Sequence, residues 1–121
     1  MGLKHSTSKS FFYAFQGLKT ALGQEPNLRI HIVAAALALI LGLMLKLNIY
    51  EWLLLTFTIF YVITLELLNT VLEAIVDLVS PEIVSYAKVA KDVSAACVLL
   101  AALMSVIVGA VLFIPKIIAL L

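Results

Sequence analysis

Charged side chains are scarce in this chain, and their scarcity excludes most classes of soluble protein. Only 12% of the 121 residues are Asp, Glu, Lys or Arg, whereas 64% are hydrophobic, and the mean hydropathy is +1.20. Soluble domains contain about 25% charged and about 45–50% apolar residues. The sequence therefore predicts an integral membrane protein. At this length, residues 1–121 are expected to form one domain without a separate soluble catalytic module.

Cysteine pairs, a basic excess and the familiar nucleotide-binding motifs are also missing. The single cysteine, Cys97, cannot form a disulfide within the chain. A formal net charge of +1 gives no strongly basic surface, so no nucleic-acid partner is expected. No GxxxxGK(S/T) loop, GxGxxG loop or HRD-type catalytic loop occurs, which argues against the common soluble nucleotide-binding folds. The first thirty residues contain no pattern typical of a signal peptide.

Three long apolar runs are present, and each is long enough to cross a bilayer. A membrane-spanning helix needs about 20 apolar residues. We expect spans over about residues 28–47, 49–68 and 93–114, the last of which carries no charge. The second helical pattern continues through polar residues to Val79, where a Ser-Pro pair interrupts it. The second helix is therefore expected to be long, with a polar half that emerges at the membrane surface.

An amphipathic segment precedes the first span. Residues 8–22 place large apolar side chains near one helical face, and these are Phe11, Phe12, Phe15, Leu18 and Leu22. Helices of this kind lie in the membrane interface. The expected fold is an all-α membrane protein with three transmembrane helices and an N-terminal amphipathic helix on the inner leaflet.

The distribution of basic residues predicts which side of the membrane each segment faces. Six of the eight Lys and Arg residues precede the first span or lie between the second and third, namely Lys4, Lys9, Lys19, Arg29, Lys88 and Lys91. Basic residues concentrate in cytoplasmic segments. We therefore expect the N-terminus and the 80–91 loop in the cytoplasm and the C-terminus outside.

The second apolar run contains a stripe of polar side chains. Glu66, Asn69, Glu73 and Asp77 follow one another at spacings of three, four and four residues. On a helix these spacings place the four side chains within an arc of roughly 80°. Carboxylates near a membrane span are costly and usually functional. The alternative is that Asn69 joins helices and the acids are ordinary interfacial charges.

Two further charged groups belong to the same expected membrane surface. Lys88, Lys91 and Asp92 precede the third apolar run, with Lys88 and Asp92 spaced i, i+4, and Glu25 precedes the first. Taken alone, the lysines are explained as a snorkelling flank and Glu25 as a helix N-terminal charge. Together with the stripe, these side chains form a set suited to binding Mg²⁺, which is held by carboxylates and substrate phosphates. Phosphoryl transfer needs such an ion, cationic groups and a base.

A small oligomeric transporter or proton-coupled channel is a second function class. Its carboxylates would line a translocation path and would lie near the middle of the bilayer. In this sequence the acids lie at the edges of the expected spans, mostly with cytoplasmic basic residues. The charge pattern therefore favours a phosphotransferase over a transporter.

The motifs resemble those of the prokaryotic diacylglycerol kinase family, which are small three-span membrane lipid kinases. The run ELLNTVLEAIVD, followed after a short loop by AKVAKDVSAACVL, is similar to the family pattern ExxNxxxExxxD and AKD. The upstream segment AFQGLKTALGQEPNLRIH is similar to the same family, so the resemblance covers roughly residues 10–112. It implies a homotrimer in the bacterial cytoplasmic membrane, with composite active sites at subunit interfaces.

The resemblance also implies the substrates and the roles of individual residues. The enzyme would use MgATP to phosphorylate a membrane lipid alcohol, with Glu66 as the catalytic base and Glu25 and Glu73 as metal ligands. The positions expected to bind ATP are Tyr13, Glu25, Asn69, Glu73, Asp77, Glu82, Lys91 and Asp92.

Departures from the family pattern bear on the choice of lipid. His31 stands where the enterobacterial form has an acid, and Ser94 begins a Ser-Ala-Ala run in place of a glycine-containing one. The segments NLRIH and SPEIVSYAKVAKD resemble the Gram-positive and cyanobacterial branch. In the Gram-positive branch the preferred lipid is undecaprenol, so undecaprenol is the expected acceptor. Diacylglycerol, which would give phosphatidic acid, is the alternative.

Overall fold

The computed structural model describes residues 6–82 and 84–121, and these residues form four α-helices without a β-strand. The helices are α1 (Thr7–Gln24), α2 (Pro26–Met44), α3 (Ile49–Val79) and α4 (Ser85–Leu120). By length and composition, α2, α3 and α4 are able to cross a membrane. The predicted all-α fold with three spans and a preceding helix is confirmed. Lys4, one of the basic residues that predict the orientation in the membrane, lies outside the described residues.

The junction between α1 and α2 is set by Pro26. Its ring fixes φ and removes a backbone N–H, which is tolerated in the first turn of a helix and disruptive further inside. Glu25 is extended, with φ −107° and ψ 103°, although its backbone N–H still donates to the Ala21 carbonyl at 2.8 Å. One helix therefore ends and the next begins at Glu25, whose side chain lies where α1 meets α2.

The aromatic face of α1 is exposed in this structure. Phe11, Phe12 and Phe15 are 64%, 57% and 68% exposed, and Ala21 is the buried residue of this helix. An exposed aromatic face is what a helix in the membrane interface presents to lipid. The helix is thus confirmed, and its location on the inner leaflet stays a prediction.

The turn between α2 and α3 shortens the first span. Helix α2 ends at Met44, three residues before the predicted boundary. Lys46 adopts the left-handed conformation, with φ 56°, which ends helical hydrogen bonding, and Leu47 then packs into the core with 7% exposure. Asn48 caps α3, because its side-chain oxygen accepts a hydrogen bond from the Glu51 N–H at 3.0 Å.

Helices α3 and α4 share the most extensive contact in the fold. The buried apolar cluster contains Leu55 of α3 and Leu112 and Phe113 of α4. At the end of α4 that follows this cluster, Lys116 forms an ion pair of 3.2 Å with Glu51. Most other large apolar side chains on the spanning helices face outward, as expected where the surrounding solvent is lipid.

Helix α4 is longer than the third apolar run. It begins at Ser85, eight residues before the predicted span, and continues through Pro115 to Leu120. The segment before the span is helical because its alanines and lysines are good helix formers. Proline is tolerated in membrane helices where neighbouring groups satisfy the freed carbonyl. The Lys88–Asp92 segment thus continues the span as a rigid helix.

Gly42 allows the close approach of α2 to the start of α3. A Cβ atom added there would lie 2.9 Å from Trp52 Cη2 and 3.0 Å from Leu47 Cδ1. We expect Gly42→Ala to lower the melting temperature in detergent, because overpacking costs about 1–3 kcal/mol. Gly109→Ala is the control, since a Cβ there meets nothing within 4 Å. Equal melting temperatures for the two variants would show that Gly42 has no packing role.

Candidate active site

A buried carboxylate lies near the middle of α3. Glu66 is 1% exposed, and its Oε2 atom has no hydrogen-bond partner among the described residues. The His31 Nε2 atom of α2 lies 3.7 Å from this oxygen, which is beyond the length of a hydrogen bond. Burying a carboxylate without a partner is unfavourable, so such a group in a native fold is a candidate for a functional residue. Glu66 therefore has an oxygen free to accept a proton.

Asn69 lies next to Glu66 along the stripe and is also buried. It is 8% exposed, and its Nδ2 donates to Glu73 Oε1 at 3.3 Å. Its Oδ1 atom is buried and has no partner among the described residues. The amide therefore orients Glu73 through one atom and leaves its other atom available to a ligand.

Two more carboxylates lie within electrostatic range of Glu66. The charges of Glu25, from the junction of α1 and α2, and of Glu73, two turns along α3, both act on Glu66. Glu25 and Glu73 are partly exposed, whereas Glu66 is enclosed. The structure thus brings together four of the predicted residues. It adds His31, which the sequence marked only as a departure from the family pattern.

The predicted metal ligands are two carboxylates. Within the described residues no group of three or more His, Cys, Asp or Glu side chains has the arrangement of a metal site. Mg²⁺ is commonly held by one or two carboxylates together with water and substrate phosphates, and it does not need a cage of protein ligands. Glu25 and Glu73 both act electrostatically on Glu66, and Asn69, which is bonded to Glu73, has an unpartnered oxygen, so these residues fit that manner of binding.

The ends of α3 and α4 nearest the connecting turn carry two ion pairs. Lys91 Nζ lies 2.5 Å from Asp77 Oδ1, and Lys88 Nζ lies 2.5 Å from Asp92 Oδ2. The second pair confirms the predicted i, i+4 partnership, and the first was not foreseen. Asp77 and the second pair are more than 60% exposed, so these contacts contribute little to stability. Instead, Asp77 positions the Lys91 ammonium group on the open side of the site.

The two remaining predicted residues lie on exposed segments. Tyr13, on α1, is 50% exposed, and Glu82 is exposed on the turn after α3. The Glu82 carbonyl accepts a hydrogen bond from Ser80 Oγ at 2.7 Å. This bond orders the turn next to Pro81.

The stripe has a graded exposure along α3. The carboxylate at Glu66 is enclosed, Glu73 is partly exposed and Asp77 is open, over an axial distance of about 16 Å. A phosphoryl transfer site needs a base at the acceptor hydroxyl, a metal at the transferred phosphate and cations farther along the nucleotide. The order of the side chains along α3 matches this order of base, metal and nucleotide contacts.

Comparison with known proteins decides which family has this arrangement. The family model for prokaryotic diacylglycerol kinase matches residues 12–113. The chain belongs to the prokaryotic diacylglycerol kinase family. It is therefore a membrane-embedded lipid kinase with ATP as co-substrate, and an enzyme rather than a transporter or channel.

Relatives within the family carry two different names. An undecaprenol kinase of Bacillus subtilis is 39% identical over 108 residues, which cover 89% of this chain and 88% of that protein. A diacylglycerol kinase of Synechocystis is 40% identical over 113 residues, which cover 93% of this chain and 65% of that protein. The diacylglycerol kinase of Escherichia coli K12 is 32% identical over 104 residues, 86% of this chain and 85% of that protein.

Proposed function

We propose that this member of the prokaryotic diacylglycerol kinase family transfers the γ-phosphate of MgATP to undecaprenol. The observation that carries the proposal is the enclosed Glu66 carboxylate, which has an unpartnered oxygen and lies within range of the charges of Glu25 and Glu73. The choice of lipid is supported by the undecaprenol kinase of Bacillus subtilis, which is similar over nearly the full length of both chains.

Glu66 acts as the general base in this proposal. Its free Oε2 accepts the proton of the lipid hydroxyl as that oxygen forms a bond to the γ-phosphorus. The bond between the γ-phosphorus and the bridging oxygen breaks, and ADP leaves with the electron pair. Because Glu66 is 1% exposed, water has poor access to the attacking position, and transfer to lipid is favoured over hydrolysis of ATP.

The remaining residues bind and orient MgATP. Glu25 and Glu73 would hold Mg²⁺, which when bound neutralises charge on the phosphates. Asn69 fixes Glu73 through its 3.3 Å hydrogen bond. Lys91, held by Asp77, supplies a positive charge for the phosphates. We assign the more exposed contacts with the nucleotide to Tyr13, Glu82 and Asp92.

The active site faces the cytoplasm in this proposal. ATP is available on that side, and the basic residues that precede α2 and begin α4 favour the same orientation. The N-terminus is then cytoplasmic and the C-terminus is outside the bacterial cytoplasmic membrane.

The proposed acceptor is tested by a competition between lipids. Purified protein receives labelled ATP together with undecaprenol and diacylglycerol in mixed micelles, and the phosphorylated product is identified. We expect undecaprenyl phosphate as the main product. Phosphatidic acid as the main product would move the assignment to diacylglycerol, and the absence of either product would overturn the proposed function.

We also propose that the active form is a homotrimer. The family resemblance implies active sites at subunit interfaces, and part of the stripe is still exposed in the single chain. A single chain already buries Glu66 and Asn69, so Glu73 and Asp77 are the stripe residues left for a neighbouring subunit to cover. We expect light scattering in mild detergent to give the mass of three chains. A monomer that keeps full kinase activity at high dilution would contradict this.

A further inference from the structure

The buried Glu66 carboxylate has to release a proton in every catalytic cycle. In the proposed function it takes the proton of the lipid hydroxyl, and it accepts the next proton only after it has lost the first. The Glu66 side chain is 1% exposed, so bulk water has little access to it. The proton therefore needs a neighbouring group through which to leave.

His31 is a neighbour with the chemistry to receive this proton. Its Nε2 lies 3.7 Å from Glu66 Oε2, and it is the one basic side chain within ion-pair distance of that carboxylate among the described residues. Histidine readily accepts and releases a proton near neutral pH. The separation is longer than a hydrogen bond, but contacts of this kind often shorten when the substrate is bound. No step of the proposed phosphoryl transfer uses His31.

His31 is also closer to solvent than the carboxylate is. Its side chain is 21% exposed, against 1% for Glu66. It is the sixth residue of α2, about 7.5 Å along the helix axis from Pro26, where α2 begins. A proton on His31 is therefore more accessible to water than a proton on Glu66.

The other polar groups near Glu66 are less suited to removing the proton. Glu25 and Glu73 act electrostatically on Glu66, but both are assigned to Mg²⁺ in the proposed function. Asn69 carries a carboxamide, which forms hydrogen bonds but has no basic nitrogen. His31 is thus the neighbour of the base that has no other assignment.

The opposite side of His31 offers no competing proton acceptor. His31 lines an apolar cavity of about 250 Å³ between α2, α3 and α4, and it is the ionisable residue of that lining. Two hydroxyl groups line the same cavity, and both donate within their own helices. Thr58 Oγ1 donates to the Leu54 carbonyl at 2.8 Å, and Ser105 Oγ donates to the Ala102 carbonyl at 2.6 Å.

We propose that His31 removes the proton from Glu66 after each phosphoryl transfer and passes it to water. The O–H bond of the Glu66 carboxyl group breaks and leaves its electron pair on the carboxylate, while the Nε2 lone pair forms an N–H bond. Water then takes a proton from the imidazolium, which restores the neutral ring. The inference rests on the proposed function, in which Glu66 is the base, and adds the route by which that base is restored.

The first turnover and the later turnovers separate this role from others. Enzyme in excess of labelled MgATP is mixed with saturating lipid in micelles, using undecaprenol or diacylglycerol, whichever the wild type phosphorylates faster. Rapid quenching gives the rate constant of a single transfer. For His31→Gln we expect this rate constant to stay within about twofold of wild type while kcat falls at least about tenfold, because the base is free for the first turnover and is restored slowly afterwards.

Two other variants provide the comparison. Ser105→Ala is the matched control, since it removes a polar group from the same cavity without removing a basic neighbour of Glu66. It should equal the wild type in the single-turnover rate constant and in kcat. Glu66→Gln should lose both, because the base itself is missing. The KM values of His31→Gln for lipid and MgATP should be those of the wild type.

Added imidazole gives a second readout. His31→Ala leaves space beside Glu66 for a small base. We expect imidazole in the buffer to raise the kcat of this variant, with the largest effect at a pH where imidazole is neutral. Sodium chloride at the same ionic strength should have no such effect, and the wild type should not respond to imidazole.

Three results with an active wild type would overturn the inference and leave the kinase assignment standing. Equal losses in the single-turnover rate constant and in kcat for His31→Gln would place His31 in the chemical step. A wild-type kcat for His31→Gln would show that the proton leaves by another route. A raised lipid KM with unchanged kcat would make His31 a contact of the substrate.

Two further outcomes complete the test. If His31→Gln does not fold, a folded His31→Ala that imidazole fails to rescue would overturn the inference. A wild type that phosphorylates neither lipid would instead overturn the proposed function on which the inference rests.

Discussion

Glu66→Gln is expected to abolish turnover while leaving the protein folded. A carboxylate accepts the proton of the lipid hydroxyl during phosphoryl transfer, and an amide does not. General-base assistance contributes about 10²- to 10⁴-fold, so kcat should fall by at least about 100-fold with little change in the affinity for MgATP. The measurement is steady-state kinetics with lipid in mixed micelles, together with nucleotide binding to the same variant.

The burial of Glu66 makes stability a second readout for this variant. Glutamine is nearly isosteric, and the substitution removes a buried charge near two other carboxylates. The melting temperature of Glu66→Gln should therefore equal or exceed that of the wild type, which separates lost chemistry from lost folding. Glu51→Gln, the same change at the far end of α3, is the control and should keep wild-type kcat. If Glu66→Gln retains more than about a tenth of the wild-type kcat, Glu66 is not the base.

Glu73→Gln is expected to weaken the binding of Mg²⁺ and of the nucleotide. The change removes one anionic ligand from a hard-cation site, so the Mg²⁺ concentration for half-maximal activity should rise on the order of tenfold or more. Asn69 still finds an acceptor, because the glutamine side chain also carries an oxygen that its Nδ2 can donate to. The orientation of the side chain is thus preserved while its charge is lost.

The Mg²⁺ dependence distinguishes a ligand from a structural residue at this position. Raising Mg²⁺ should restore part of the activity of Glu73→Gln, because the defect is one of affinity. It should not restore Glu66→Gln, where the missing group is the base. An unchanged dependence on both Mg²⁺ and MgATP would show that Glu73 is not a metal ligand.

The sequence by itself determined the helices and the composition of the site. Apolar run length, the Ser-Pro pair after Val79 and Pro26 act within a few residues of their own positions, so the helix number and several boundaries followed from local rules. The spacing of the stripe from Glu66 to Asp77 is likewise a property of one helix. The family motif gave the expected role of each of these residues.

Other features were decided only by how the helices meet. The early end of α2 depends on Lys46 in the left-handed conformation, which brings Leu47 back into the core. The proximity of His31 to Glu66 and the Asp77–Lys91 ion pair each join residues from different helices. Periodicity shows which residues share a face, but the neighbour of that face is set by the packing of all four helices. For the same reason, the burial of Glu66 and the cavity beside it became visible only in the tertiary structure.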